Sequence, residues 1–169
     1  MPVTRLEILE RSPFASGTSF GDAGTYERID AIAHYEVDPK NAANDGVCDL
    51  SLAARNGEGR IAFSGDRTII KPVEMSMGNR ALLMQIPNRG NRSVARFNLT
   101  PVAAVTTAEV EPGDGFLFRR GWTVAWAGWQ WDVPRTPDRA RIGLTAPHVP
   151  LNARYPRTQM QLRIQPNVV

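Results

Sequence analysis

Apolar and polar residues alternate along two stretches in the first half of the chain. In residues 29–38 every odd position is apolar and most even positions are polar. A period of two is typical of a β-strand with one buried face. Residues 60–71 form a second extended stretch, with an apolar face that includes Ile61. Because Pro39 and Pro72 end the two stretches and a long polar loop separates them, we predict two antiparallel strands.

The pattern changes in the middle of the chain, where two short runs are almost continuously apolar. Residues 81–86 read Ala-Leu-Leu-Met-Gln-Ile, and residues 122–127 read Trp-Thr-Val-Ala-Trp-Ala. Such runs are typical of parallel strands covered on both faces. Between them the pattern favours short helices at residues 93–98 and 115–120, the second with Gly121 placed for a left-handed cap. The spacing is that of a βαβ unit, so we predict an α/β fold whose mixed sheet begins with antiparallel strands and continues with a parallel unit.

The last part of the chain departs from this pattern. Beyond Pro134, further prolines interrupt the chain, and residues 159–164 are a candidate strand that cannot be placed in the sheet. We therefore divide the chain into a strand-rich domain, residues 1–134, and an incomplete extension rich in proline and arginine, residues 135–169. The extension carries six arginines and one aspartate, whereas the domain before it is slightly acidic.

Length and composition are those of an ordinary globular protein. A chain of 169 residues, 42% hydrophobic and 22% charged, is long enough to bury its own core. No stretch approaches the roughly 18 consecutive apolar residues of a membrane span, and the charged N-terminus does not fit a signal peptide. The single cysteine, Cys48, fits a reducing compartment. We therefore expect a cytoplasmic protein without a membrane partner, and the dispersed arginines of the extension do not form a recognisable nucleic-acid module.

Few residues are candidates for chemistry on their own. Cys48 is the only cysteine of the sequence, and His34 and His148 are its only histidines. Zinc sites normally draw on clustered cysteine and histidine ligands, so we expect no metal site. We also expect no cofactor. Each histidine is a candidate base, but without a partnered nucleophile a solvated or hydrogen-bonded imidazole is the favoured interpretation. Residues 17–21 match the G-x-S-x-G pattern of a nucleophilic serine at Ser19. Because no buried strand precedes Ser19 and no helical pattern follows it, we interpret the match as a surface loop.

The loop after the first apolar run is the first part of the candidate site. Open α/β sheets bind ligands outside the carboxyl ends of their strands. Backbone N–H groups in such a loop are candidates for binding an oxyanion, and glycine permits the unusual dihedral angles this requires. An ordinary strand-to-helix turn is the alternative interpretation. The candidate residues are Asn88, Arg89, Gly90 and Asn91.

The segment after the second apolar run is the other part of the candidate site. Trp122 and Trp126 share a face with Val124, which favours core packing for both indoles. The tryptophans beyond the strand are freer to line a pocket for a small molecule, and the polar residues beside them either orient a ligand or satisfy the turn. These pocket candidates are Trp129, Gln130, Trp131 and Asp132.

Several of these segments together resemble a known family. PFASGTSFGDAGTYERIDAIAHYEVDP, IPNRGN and GFLFRRGWTVAWAGWQWDVP are similar to the N-terminal part of a bacterial family of large, mostly uncharacterised α/β-hydrolase-domain proteins. The resemblance runs from about Val3 to Pro150, and the family pattern has a glycine where Trp131 stands. It implies the first half of an α/β-hydrolase fold, in which residues 88–91 form the oxyanion loop of an enzyme that hydrolyses acyl esters or amides.

The same resemblance implies that this chain lacks a catalytic centre. In that fold the nucleophile follows a later strand, and the acid and the histidine come after it. We therefore expect an N-terminal fragment of a serine-hydrolase-like protein that is inactive alone and holds no catalytic residue. The alternatives are a stand-alone mixed-sheet module that binds a small ligand, and a non-functional gene fragment. The resemblance also implies an open edge at residues 81–86, where we expect self-association or pairing with the missing C-terminal half.

Overall fold

A six-stranded sheet forms the centre of the structure, a computed structural model that describes residues 3–99, 109–134 and 140–149. Its strands follow the order β1-β2-β3-β5-β4, and β6 pairs with β3. They are β1 (Val3–Pro13), β2 (Tyr26–Val37), β3 (Ile61–Pro72), β4 (Leu82–Gln85), β5 (Thr123–Ala127) and β6 (Leu144–Thr145). The α-helix of the described residues is α1 (Phe116–Arg119), and short 3-10 turns span Phe14–Gly17, Gly21–Ala23, Ala42–Asn44, Leu50–Leu52, Met75–Met77 and Asn88–Gly90.

The predicted mixed sheet is confirmed. β2 and β3 pair in antiparallel fashion along their whole length. β4 and β5 form the one parallel pair of the described sheet, with Leu82 opposite Thr123 and Gln85 opposite Trp126. β5 also pairs with β3, so β5 lies inside the sheet, and among the described residues β4 forms its edge. The sheet is therefore mostly antiparallel, with few helices.

Two strands were not predicted. β1 runs antiparallel to β2 and has register shifts between Val3 and Arg5 and between Ile8 and Glu10. Each shift moves the following side chains to the other face, so the apolar residues of β1 do not alternate with a period of two. β6 contains only two residues, Leu144–Thr145, and is too short to show any period.

The helix predicted at residues 93–98 is wrong, because this segment forms a single turn. The N–H groups of Phe97 and Asn98 both donate to the Val94 carbonyl at 2.9 Å. The buried Asn98 side chain forms its hydrogen bonds with residues farther along the chain. Its oxygen accepts from the Leu117 N–H at 3.0 Å, and its amide donates to the Pro112 carbonyl at 2.8 Å. These distant partners fix the segment by contacts outside itself, which local propensity does not reveal.

The helix before β5 and its glycine cap are confirmed, although α1 is shorter than residues 115–120. Gly121 has a φ of +75°. Its N–H donates to the Phe118 carbonyl at 2.9 Å, and the Trp122 N–H donates to the Leu117 carbonyl at 3.2 Å. This is the hydrogen-bond pattern of a Schellman motif, which satisfies carbonyls at the helix end.

One face of the sheet carries an aromatic core. Trp126 is fully buried, and Trp122 packs against the same cluster, so core packing of both indoles is confirmed. The Tyr26 hydroxyl donates to the Phe118 carbonyl at 2.9 Å, and burial raises the pKa of Tyr26 to about 12. The cluster comprises Phe14, Phe20, Ala23, Tyr26, Ile70, Val94, Val110, Leu117, Phe118, Val124, Trp126 and Ile142.

The described part of the extension belongs to this same fold. Ile142 lies in the core, and β6 pairs with Ser64 and Gly65 of β3. Gly128 packs so closely on the Gly143 backbone that a Cβ atom there would lie 2.4 Å from its carbonyl oxygen. The candidate strand at residues 159–164 lies outside the described residues. Within the described ranges, none of the helices has the length and apolar character needed to cross a membrane.

Candidate functional site

The carboxyl ends of β4 and β5 bring the two candidate segments together. The Arg89 backbone N–H donates to the Gln130 side-chain oxygen at 2.6 Å, and the Arg89 guanidinium donates to the Asp132 carboxylate at 2.5 Å. The Trp129 indole N–H donates to the Pro87 carbonyl at 2.8 Å. Residues 87–91 and 128–132 therefore form one unit, which we call the carboxyl-end corner.

The loop of this corner has an unusual backbone. Arg89 and Gly90 have φ values of +53° and +76°, in the left-handed region that side chains other than glycine seldom adopt. Gly90 is also pressed against Ile142, where an added Cβ atom would lie 2.4 Å from the carbonyl oxygen. Only glycine fits at position 90, and this contact ties the loop to the described part of the extension.

The predicted oxyanion donors differ in their accessibility. Asn88 and Arg89 are exposed, Asn91 is half-buried and Gly90 is buried. The Asn91 N–H donates to the Asn88 carbonyl at 3.2 Å. Since the Arg89 N–H already donates to Gln130, an oxyanion at this N–H has to replace the Gln130 oxygen. The loop is thus held in shape by its neighbours while its outer side faces solvent.

The two tryptophans beyond β5 lie at the surface. Trp129 is 52% exposed and Trp131 is 74% exposed. Trp131 also lines a cavity of about 320 Å³, the size of a small ligand site. The other lining residues of this Trp131 cavity are Val133, Leu144, Thr145, Ala146 and His148.

The two histidines, far apart in sequence, lie at one place in the fold. His34 and His148 both line a cavity of about 330 Å³ together with Ser64, which pairs with His34 across β2 and β3. His34 Nε2 is 2.9 Å from a Glu7 carboxylate oxygen. This hydrogen bond, together with the charge of Arg5, lowers the pKa of Glu7. The imidazole of His34 is therefore hydrogen-bonded, as the sequence interpretation favours, and the described residues contain no group of three or more metal-ligating side chains.

A buried ionic cluster beneath the corner was missed from sequence. The Arg92 guanidinium donates to the Thr68 hydroxyl at 2.8 Å and to an Asp30 carboxylate oxygen at 3.3 Å. The Thr68 hydroxyl donates to the same oxygen of Asp30 at 2.6 Å. Burial lowers the pKa of Arg92 to about 10, so the guanidinium still carries its charge at neutral pH. The alternation in β2 places Asp30 among the polar residues and so predicts that it faces solvent. In the structure Asp30 is only 7% exposed. Both faces of β2 are covered by other parts of the chain, and the sequence of β2 alone does not show this.

Ser19 does not have the surroundings of a nucleophile. It is exposed, and it forms an isolated bridge with Thr25 between two 3-10 turns. A nucleophile elbow requires a sharp turn from a buried strand into a helix. Neither element adjoins Ser19, which agrees with its interpretation as part of a surface loop.

The carboxyl-end corner combines backbone N–H groups, an arginine–carboxylate pair and exposed indoles at the end of a parallel strand pair. These groups can bind a small polar molecule, but a nucleophile paired with a base is not among them. Comparisons of the chain with protein-family models, with curated proteins and with solved structures found no match. The function is therefore argued from the corner itself.

Proposed function

We propose that this chain is the ligand-binding N-terminal part of a serine-hydrolase-like α/β protein that acts on acyl esters or amides. One observation carries the proposal. The parallel strands β4 and β5 end side by side, and their following residues, Arg89, Gln130 and Asp132, bond to one another. This is the edge at which α/β sheets bind their ligands.

The proposed role of the corner is to bind the oxygen of the reacting carbonyl. Hydrolysis of an acyl ester places negative charge on that oxygen, and N–H donors stabilise the charge in the transition state. Residues 88–91 carry backbone donors in a loop whose shape is held by Gln130 and Asp132. An oxyanion that binds the N–H of Arg89 or of Asn91 displaces its present acceptor, the Gln130 side-chain oxygen or the Asn88 carbonyl. The nucleophile and its base are proposed to come from a part of the fold outside the described residues, as the family resemblance implies.

The first prediction is that the purified chain has no esterase activity. We expect no hydrolysis of p-nitrophenyl butyrate above the buffer rate, because triad members supply most of the rate of such enzymes. Ser19→Ala is expected to behave like the parent chain. Release of p-nitrophenol, followed by absorbance, checks both. Robust turnover that disappears in Ser19→Ala would contradict the proposal and the interpretation of residues 17–21.

Ligand binding at the corner is tested with sodium butyrate, the acid produced from that ester. We expect butyrate to shift the backbone amide resonances of residues 88–91 in an NMR titration. Butanol, which has the same alkyl chain without the carboxylate, is the control and should leave these resonances in place. The proposal fails if butyrate causes no shift at residues 88–91, or if butanol shifts them equally.

The stand-alone binding module is the second candidate function, and the Trp131 cavity favours it. Its walls are mostly apolar, and Thr145 adds a hydroxyl. We expect the uncharged probe benzyl alcohol to shift the amide resonances of residues 144–146 saturably in an NMR titration, and Trp131→Ala to abolish these shifts. Met77→Ala, at an exposed residue outside this cavity, is the matched control. Binding of benzyl alcohol without binding of butyrate would favour the module over the hydrolase part.

The edge strand β4 is the proposed contact with further protein. Within the described residues, the sheet ends at β4. Leu82, Met84 and Ile86 are 55%, 50% and 63% exposed. Parallel strands are normally covered on both faces, and an uncharged apolar edge is a template for strand pairing. We propose that this edge pairs with a second copy or with the remaining half of a hydrolase-like sheet.

Self-association through β4 is expected to be disrupted by Met84→Lys. Met84 is half exposed, so the lysine should cost little stability, whereas Leu83 packs against the core and its replacement would also affect folding. Val73→Lys, at a position 56% exposed and outside β4, is the control. Sedimentation velocity at high micromolar concentration measures the effect. A parent chain that is already monomeric would rule out the second copy as the occupant of this edge, and equal association in both variants would rule out β4 as the contact.

A further inference from the structure

The loop of the carboxyl-end corner is fixed to the sheet just beyond Arg89. Gly90 is pressed on Ile142, and Val94 is buried in the core. Between them, the Arg92 side chain is 0% exposed and reaches across to Asp30 and Thr68 in the two long central strands. Arg92 therefore connects the corner to the most extensively paired part of the sheet.

We propose that Arg92 is a positioning residue for the carboxyl-end corner. Its guanidinium holds the chain so that Arg89 keeps its left-handed backbone and its bonds to Gln130 and Asp132. The proposal rests on the function proposed above for the corner, but the positioning itself does not require a ligand. It assigns Arg92 a role in the shape of residues 88–91 beyond its contribution to the stability of the fold.

The choice of a charged side chain at this place supports a geometric role. Burying a guanidinium is costly, and replacing a whole buried ion pair by apolar side chains of similar volume often gives equal or greater stability. An apolar side chain makes no directional contacts, whereas the two acceptors on Asp30 and Thr68 define where the guanidinium lies. Arg89 needs such support because a left-handed backbone is unfavourable for a residue with a side chain.

Arg28 provides a matched comparison within the same cluster. Its Nε atom lies 2.9 Å from the other carboxylate oxygen of Asp30, and its Nη1 atom lies 3.2 Å from Glu109. The side chain of Arg28 is 9% exposed, so it is nearly as buried as Arg92. It belongs to β2, however, and does not extend from the corner loop. The contacts of Arg28 with Asp30 and Glu109 lie outside residues 88–91, so Arg28→Met removes a buried charge beside Asp30 and leaves the contact between Arg92 and Thr68 in place.

Hydrogen exchange of the Arg89 amide, which donates to Gln130, tests the proposal. In Arg92→Met we expect this amide to exchange at least about tenfold faster relative to the amides of β5. Without Arg92 the loop is held less firmly, so the hydrogen bond from the Arg89 N–H to Gln130 opens more often. In Arg28→Met the ratio of the Arg89 rate to the β5 rates should stay at the parent value. The exchange is measured by NMR on the chain without ligand.

The ratio separates positioning from stability, because a purely structural role accelerates the Arg89 and β5 amides together. An unchanged ratio in Arg92→Met, or the same increase in both variants, would overturn the proposal. If Arg92→Met does not fold, Arg92→Lys keeps the charge but loses the planar fork, and the same increase in the ratio is expected. Since no ligand is used, absence of butyrate binding would contradict the proposed function and leave this result standing.

Discussion

Replacing Asp30 by asparagine is expected to destabilise the protein by about 3–5 kcal/mol, because it breaks a buried ion pair while its arginines remain buried. Asp30 is 7% exposed and lies between Arg28 and Arg92. The substitution preserves the shape of the side chain, removes its charge and converts one of its two acceptor oxygens into an NH2 donor that faces the donors of Arg28, Arg92 or Thr68. Urea unfolding followed by circular dichroism gives the free energy of unfolding.

Asp22→Asn is the control for this experiment. Asp22 is exposed, and substitutions at such positions usually change stability by no more than about 0.5 kcal/mol. A loss below about 1 kcal/mol for Asp30→Asn would mean that the buried cluster tolerates loss of its central charge, contrary to the expectation for buried pairs. The geometry of the cluster would then need another explanation.

Trp126→Ala is expected to cost about 3–5 kcal/mol, the range for removal of a large aromatic side chain from a core. Trp126 is 0% exposed and belongs to the aromatic cluster. Trp131→Ala, at a residue 74% exposed, should change stability by no more than about 0.5 kcal/mol. Both variants remove an indole, so the difference measures burial. Equal losses in thermal or urea unfolding would contradict the division of the tryptophans into core and surface pairs.

The hydrophobic pattern of the sequence predicts the core pair of this division. Trp122 and Trp126 share a face with Val124, so their alternation in the sequence predicts their common burial. The same kind of pattern predicts β2, β3, β4 and β5 as strands, because the period of the apolar residues is a local feature. It does not predict their burial in full, since Leu82 and Met84 of the apolar strand β4 are 55% and 50% exposed. Gly121 likewise predicts the end of α1, since its left-handed backbone is a local requirement.

The hydrophobic pattern does not predict features that depend on contacts with residues distant in the sequence. β1 was missed because its two register shifts disturb the alternation. The helix expected at residues 93–98 is replaced by a turn, since Asn98 bonds to Leu117 and to the Pro112 carbonyl. No local signal identifies either partner.

The candidate site divides in the same way. The sequence by itself determined that polar loops follow two apolar strands, because the strands and the proline and glycine positions after them are local features. Only the tertiary structure decided that Arg89 bonds to Gln130 and Asp132, and that Arg92 lies buried against Asp30. These contacts join residues far apart in the chain, and they depend on the order of the strands in the sheet. Strand order follows from the packing of the whole chain, so it cannot be read from any one segment.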